Sequence, residues 1–111
     1  MKTEKEVKAL QAQLEQFFKG YALNDFAWFE GSELTEDQKA NGGEKTYFKM
    51  GFDGDLYHVF WPLPDVNAKL ILHNRSLRKT FDGIVEKHGF WIEFEEYYRI
   101  CFMSIEPQKK D

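Results

Sequence analysis

A chain of 111 residues has room for one domain and its core, and not for two. Its net charge of −4 argues against the basic footprint that non-specific binding to nucleic acid or to an anionic membrane requires. With 42% hydrophobic and 31% charged residues the chain is globular in type, and 17% aromatic content, including 11 Phe, calls for an interior built largely from rings. The opening MKTEKEVKAL has no apolar run behind its charges, and no stretch approaches the roughly 18 apolar residues of a membrane span. Cys101 is the single cysteine, which rules out an intramolecular disulfide and reads as a small buried hydrophobe. A cytoplasmic location is the expectation that follows.

In chain order, Thr3 and Glu6 match a capping box, and Val7, Leu10, Leu14, Phe17, Phe18 and Tyr21 fall on one helical stripe. A helix is therefore predicted from Thr3, ending between Gly20 and Asn24. Phe26 to Glu30 reads as a short strand. Gly31 to Glu44 is polar, with turn chemistry at Asn41-Gly42-Gly43, and is expected to be a mobile loop. Thr46 to Trp61 reads as a β-hairpin closed by a two-residue Asp53-Gly54 turn. That pairing puts Phe48, Met50, Phe52, Tyr57, Val59 and Trp61 on a core face. The other face, carrying Tyr47, Lys49, Gly51, Leu56, His58 and Phe60, is too apolar for free solvent and too polar for a dry interior.

Pro62 and Pro64 stop the sheet. Ala68 to His73 alternates in the manner of a strand, with the start of a helix as the alternative. Leu77, Phe81, Ile84, Val85 and His88 have helical spacing, so a second helix is predicted over 76–88, capped by Asn74 or Ser76 and ended by Gly89. Phe90 to Ile105 alternates over its whole length and reads as one long strand; a hairpin turning near Glu95-Glu96 is the alternative. The expected fold is a two-layer α+β domain over 1–106, its antiparallel sheet (the Asp53-Gly54 hairpin plus the long C-terminal strand) covered by the two helices, with a disordered tail at 107–111.

Three groups of residues could carry function. Glu96 interrupts the apolar face between Phe94 and Tyr98, so a carboxylate aimed at rings would need a partner such as Lys49, His58 or Tyr98, the setting of a ligand pocket. The competing reading is a Glu96 that points to water where the strand bends. Around the expected helix start, Arg75, Ser76, Arg78 and Lys79 are candidates for holding an anion, against the plainer reading of a solvated basic face. Asp25, Glu30, Glu33, Glu36, Asp37 and Glu44 stand against Lys39 alone, so the acidic loop with Trp28 and Phe29 could meet a basic protein partner. Glu33, Glu36 and Asp37 would be its charged contacts.

No motif for a metal, a cofactor or a catalytic nucleophile is present, and Asp53-Gly54-Asp55 lacks the further oxygens of a calcium loop. The stretch Leu14 to Phe29, LEQFFKGYALNDFAWF, is loosely similar to the first helix of the cone-shaped α+β proteins typified by nuclear transport factors and small polyketide cyclases. The order helix, strands, helix, strand also resembles that of small acidic secretion chaperones. Neither likeness carries an activity or a site residue over to this chain. The favoured expectation is a small acidic interaction module of the immunity, inhibitor or chaperone-like kind, with a homodimer as one form open to it. A ligand-binding protein or enzyme with an aromatic pocket around Glu96 and His58 is the alternative.

Overall fold

The computed structural model describes residues 2–33, 36–40, 45–62 and 67–104. Its elements run α1 (Glu4–Gly20), β1 (Phe26–Ser32), α2 (Glu36–Ala40), β2 (Thr46–Phe52), α3 (Gly54–Phe60), α4 (Ala68–Lys87), β3 (Phe90–Glu96) and β4 (Arg99–Ser104). The strands form one antiparallel sheet in the order β1-β2-β4-β3, and helices pack on one of its faces, which makes the fold α+β.

Local chemistry accounts for the ends of α1. The Thr3 hydroxyl accepts from the Glu6 N–H at 3.1 Å, and Glu4 and Glu6 in the first turn favour the helix dipole. Leu10, Leu14 and Phe18, spaced by four, are fully buried. They meet Leu77, Phe81 and Val85 of α4 and the inner-face residues Phe48, Met50, Phe52, Ile100 and Phe102 of β2 and β4. Rings join the layers: Phe18 stacks on Phe81 at 6.2 Å, Phe81 meets Phe102 edge-on at 6.2 Å, and Phe102 stacks on Phe48 at 4.3 Å and 8°. Each such ring buries enough apolar area to contribute roughly 1.5–3 kcal/mol.

The expected hairpin at Asp53-Gly54 does not form. β2 ends at Phe52 and residues 54–60 are helical, with Asp53 as the cap whose carboxylate accepts from the Gly54 N–H at 2.8 Å. The reason lies in Leu56, Val59 and Phe60, all buried. Their spacing of three and one is helical, and a strand would have split them between two faces. β2 instead pairs with β1, Phe29 opposite Lys49, and with β4, Lys49 opposite Cys101.

Ala68 to His73 is also helical, so α4 begins at Ala68 rather than near Ser76. Asn67 is its cap and accepts from the Leu70 N–H at 3.0 Å. The alternation that suggested a strand is not a burial pattern, since Leu70 and Leu72 are 44% and 63% exposed. The single long C-terminal strand is likewise corrected: the chain turns at Tyr97-Tyr98 between β3 and β4. No turn residue marks this spot because the turn is held from outside, by the Phe52 N–H on the Tyr98 carbonyl at 2.9 Å and the Trp61 indole on the Tyr97 carbonyl at 2.6 Å. Within 31–44, where the sequence predicts a mobile loop, β1 extends to Ser32 and α2 occupies Glu36–Ala40. The Asn41-Gly42-Gly43 turn and the 107–111 tail lie outside the described residues. Among the described residues no helix is long and apolar enough to cross a membrane.

Candidate functional site

The sheet face turned away from α1, α3 and α4 carries Phe29, Lys49, Gly51, Arg99 and Cys101 through the cross-strand pairs Phe29 with Lys49, Lys49 with Cys101 and Gly51 with Arg99. Glu95 of β3 is on the same face, two residues on from Glu93, which pairs with Cys101, and next to a bulge between Phe94 and Glu96. Glu95 forms a short ion pair with Lys49 and accepts from the Arg99 guanidinium at 2.9 Å and from the Cys101 thiol at 3.5 Å. The hydrogen bonds from Lys49 and Arg99 hold the Glu95 carboxyl below the usual carboxylate range. Burial, with Glu95 beside it, pushes the Cys101 thiol up, so this cysteine is no ready nucleophile.

Next to this network, where β1 enters the sheet and β2 leaves it, lies an open groove of about 580 Å³. Phe29, Tyr57 and Tyr98 supply rings to it, and Asp25 and Asp53 supply carboxylates. One glycine lines it and a second sits beside its carboxylates. A side chain at Gly51 would meet the Phe29 ring at 2.8 Å, so only glycine lets that ring lie over β2. Gly54 has φ 56°, and a Cβ there would run into the Asp25 carboxylate. The Arg99 guanidinium lies 5.6 Å from the Phe29 centroid and 5.6 Å from that of Tyr98, so these rings already host one cation. Asp25 and Asp53 have no ion pair among the described residues.

A second, smaller cavity of about 230 Å³ lies on the helical side, between the end of α1, α3 and α4. His58 and Asp55 of α3 and His73 and Asn74 of α4 line it, with Tyr21 at the end of α1. His58 Nδ1 is buried without a partner among the described residues.

The residues singled out by sequence are thus dispersed. Trp28 faces the helices, its indole donating to Glu15 at 2.8 Å and its ring set against Phe48, whereas Phe29 is 48% exposed on the opposite face. Glu33 pairs with Lys45 at 3.0 Å, and Glu36 and Asp37 occupy the exposed first turn of α2. Glu33 stands past the end of β1 remote from the groove.

Glu96 and His58 do not share a space: Glu96 is exposed beside Trp61, Phe94 and Tyr97. Lys49 meets Glu95 instead, and Tyr98 lines the groove. The expected pocket around Glu96 and His58 is not assembled: His58 lines the cavity among the helices, whereas Glu96 stands at the exposed end of β3, past the bulge. Arg75, Ser76 and Lys79 lie on an exposed interior stretch of α4, so no helix start stands there to bind an anion. Arg78 is engaged by Asp82 at 2.9 Å and lies over the rings of Phe60 and Phe94.

Asp25, Asp53 and Tyr57 of the groove were not anticipated; the Asp53-Gly54 pair carried a signal, but it pointed to a turn. Among the described residues no cluster of His, Cys, Asp and Glu could hold a metal ion. In comparisons with known protein families, curated proteins and solved structures, nothing matches the chain.

Proposed function

We propose that the protein is an interaction module whose groove receives a basic segment of a partner protein. The observation that carries this reading is the pairing of two carboxylates without ion-pair partners, Asp25 and Asp53, with the exposed rings of Phe29 and Tyr98 in one groove. Rings and carboxylates together suit an Arg or Lys side chain, which gains attraction from both, and aromatic residues are favoured at interface centres. Arg99 over Phe29 and Tyr98 is an internal instance of the same contact. Glu33, past the end of β1 remote from the groove (about 20 Å), would then attract a cationic partner at a distance rather than touch it, with Glu36 and Asp37 of the exposed α2 adding to the negative charge.

The test is a titration of the protein with three labelled peptides of equal length, one rich in Lys and Arg, one neutral and one acidic, followed by fluorescence anisotropy. The basic peptide is expected to bind best, more weakly as salt rises. Asp25→Asn combined with Asp53→Asn, which keeps the cap, should weaken it at least fivefold. Equal binding of all three peptides would end this reading.

A further inference from the structure

We propose that the cavity between the end of α1, α3 and α4 is a binding site for a small planar nitrogen heterocycle bearing an amino group, about the size of a nucleobase. Three features lead there, none of them part of the groove.

The first is Asn74. It is only 7% exposed, it lines the cavity, and its side chain makes no hydrogen bond among the described residues. Its amide atoms keep some accessible surface rather than being sealed in, so a molecule in the cavity can reach them. A carboxamide presents one donor and one acceptor side by side, the complement of a ring nitrogen next to an exocyclic amino group. Asparagine reads the adenine edge in that way.

The second feature is the polar company of Asn74. His58 lines the same cavity, and its Nδ1 is buried and has no partner among the described residues. Among the described residues Asp55 is the one carboxylate of the lining, and none of those that line it is Lys or Arg. An amino or cationic group is therefore favoured over an anion. The third is shape. Tyr21 and His73 stand with ring centroids 6.0 Å apart and planes tilted by 58°, so a flat ligand can stack on the face of one and meet the edge of the other, and leucines complete the apolar walls. A volume of about 230 Å³ falls below the roughly 300–1,000 Å³ of sites for drug-sized molecules, which limits the ligand to one or two rings.

Adenine and 2-aminopyridine are the probes, benzoate and adenosine 5′-monophosphate the controls, and the readout is the imidazole nitrogen resonances of His58 and His73 in the whole chain. Adenine and 2-aminopyridine should shift both histidines saturably, and Asn74→Leu should weaken them at least tenfold. Asp55→Asn, at an exposed position that folding tolerates, should weaken 2-aminopyridine at least threefold and decides the matter should the Asn74 variant fail to fold. Absence of any shift at millimolar adenine would overturn the proposal, as would benzoate binding as well as adenine. Tighter binding of the monophosphate than of adenine would overturn it too, by making the anion the recognised group.

Discussion

Lys49 of β2 and Glu95 of β3 form an ion pair across the intervening strand β4, and Arg99 of β4 closes on the same carboxylate at 2.9 Å. One carboxylate thus ties three strands together on the face away from the helices. Lys49 and Arg99 hold the folded-state pKa of Glu95 below its unfolded value. The group therefore contributes stability that is fully present above the unfolded value, about 4.3, and is lost as pH falls through the lower folded value. Glu95→Gln should cost about 1 kcal/mol in urea unfolding at pH 7, the group being partly exposed. The difference between variant and wild type should shrink as pH falls below the unfolded value and through the lower folded one, and a difference unchanged with pH would refute the assignment.

The same carboxylate governs Cys101. Burial is the larger cause of its raised pKa and the charge of Glu95 adds to it. Iodoacetamide at pH 8 should modify native Cys101 at least about tenfold more slowly than the urea-unfolded chain, since the thiolate is the reacting form. Glu95→Gln should recover only part of that factor, because it leaves the burial in place.

Gly54 couples the groove to the fold. Its φ of 56° and the Asp25 carboxylate beside it leave no room for a side chain. Gly54→Ala should destabilise by about 1–2 kcal/mol in denaturant unfolding. Adding Asp25→Ala should return only the steric part of the loss, since the backbone conformation stays unfavourable for an L-residue.

The beginning of α4 supplies a paired prediction. Asn67 caps the helix, while Ser76 sits on its exposed interior. Asn67→Ala should cost about 1 kcal/mol. Ser76→Ala should instead be neutral or stabilise by a few tenths of a kcal/mol, alanine being the better helix former. The opposite order of effects would mean that the helix begins near Ser76.

What the chain shows on its face is its local periodicity, and what it hides is register. The stripe Leu10, Leu14, Phe18 and the capping residue Thr3 needed no tertiary knowledge, and α1 lies where they put it. Asp53-Gly54 is ambiguous in kind: aspartate opens both turns and helices, and only the spacing of Leu56, Val59 and Phe60 decides for the helix. The alternation of 90–105 is real in both strands, yet nothing local marks Tyr97-Tyr98 as a turn, because its hydrogen bonds come from Phe52 and Trp61. Alternation does put Glu95 with Glu93 on the face of Cys101, but only the pairing of β2 with β4 reveals that Lys49 lies on that face too, and the bulge beside Phe94 is likewise invisible in a count of apolar positions. The groove and the cavity draw on residues far apart in the chain, Asp25 with Tyr98 and Tyr21 with Asn74, so neither had a sequence signature.

The stacked pair Phe48 and Phe102 joins β2 to β4 at the centre of the core, with Trp28 edge-on to both. Phe102 is completely buried, so Phe102→Ala should cost about 3–5 kcal/mol, from lost transfer energy and from the cavity left behind. Phe48→Leu and Phe102→Leu should each cost less, and their double-mutant cycle should show a coupling of about 0.5–1.5 kcal/mol, the part of the ring contact that area alone does not supply. Additive losses in urea unfolding would mean that the two rings contribute only as separate buried surfaces.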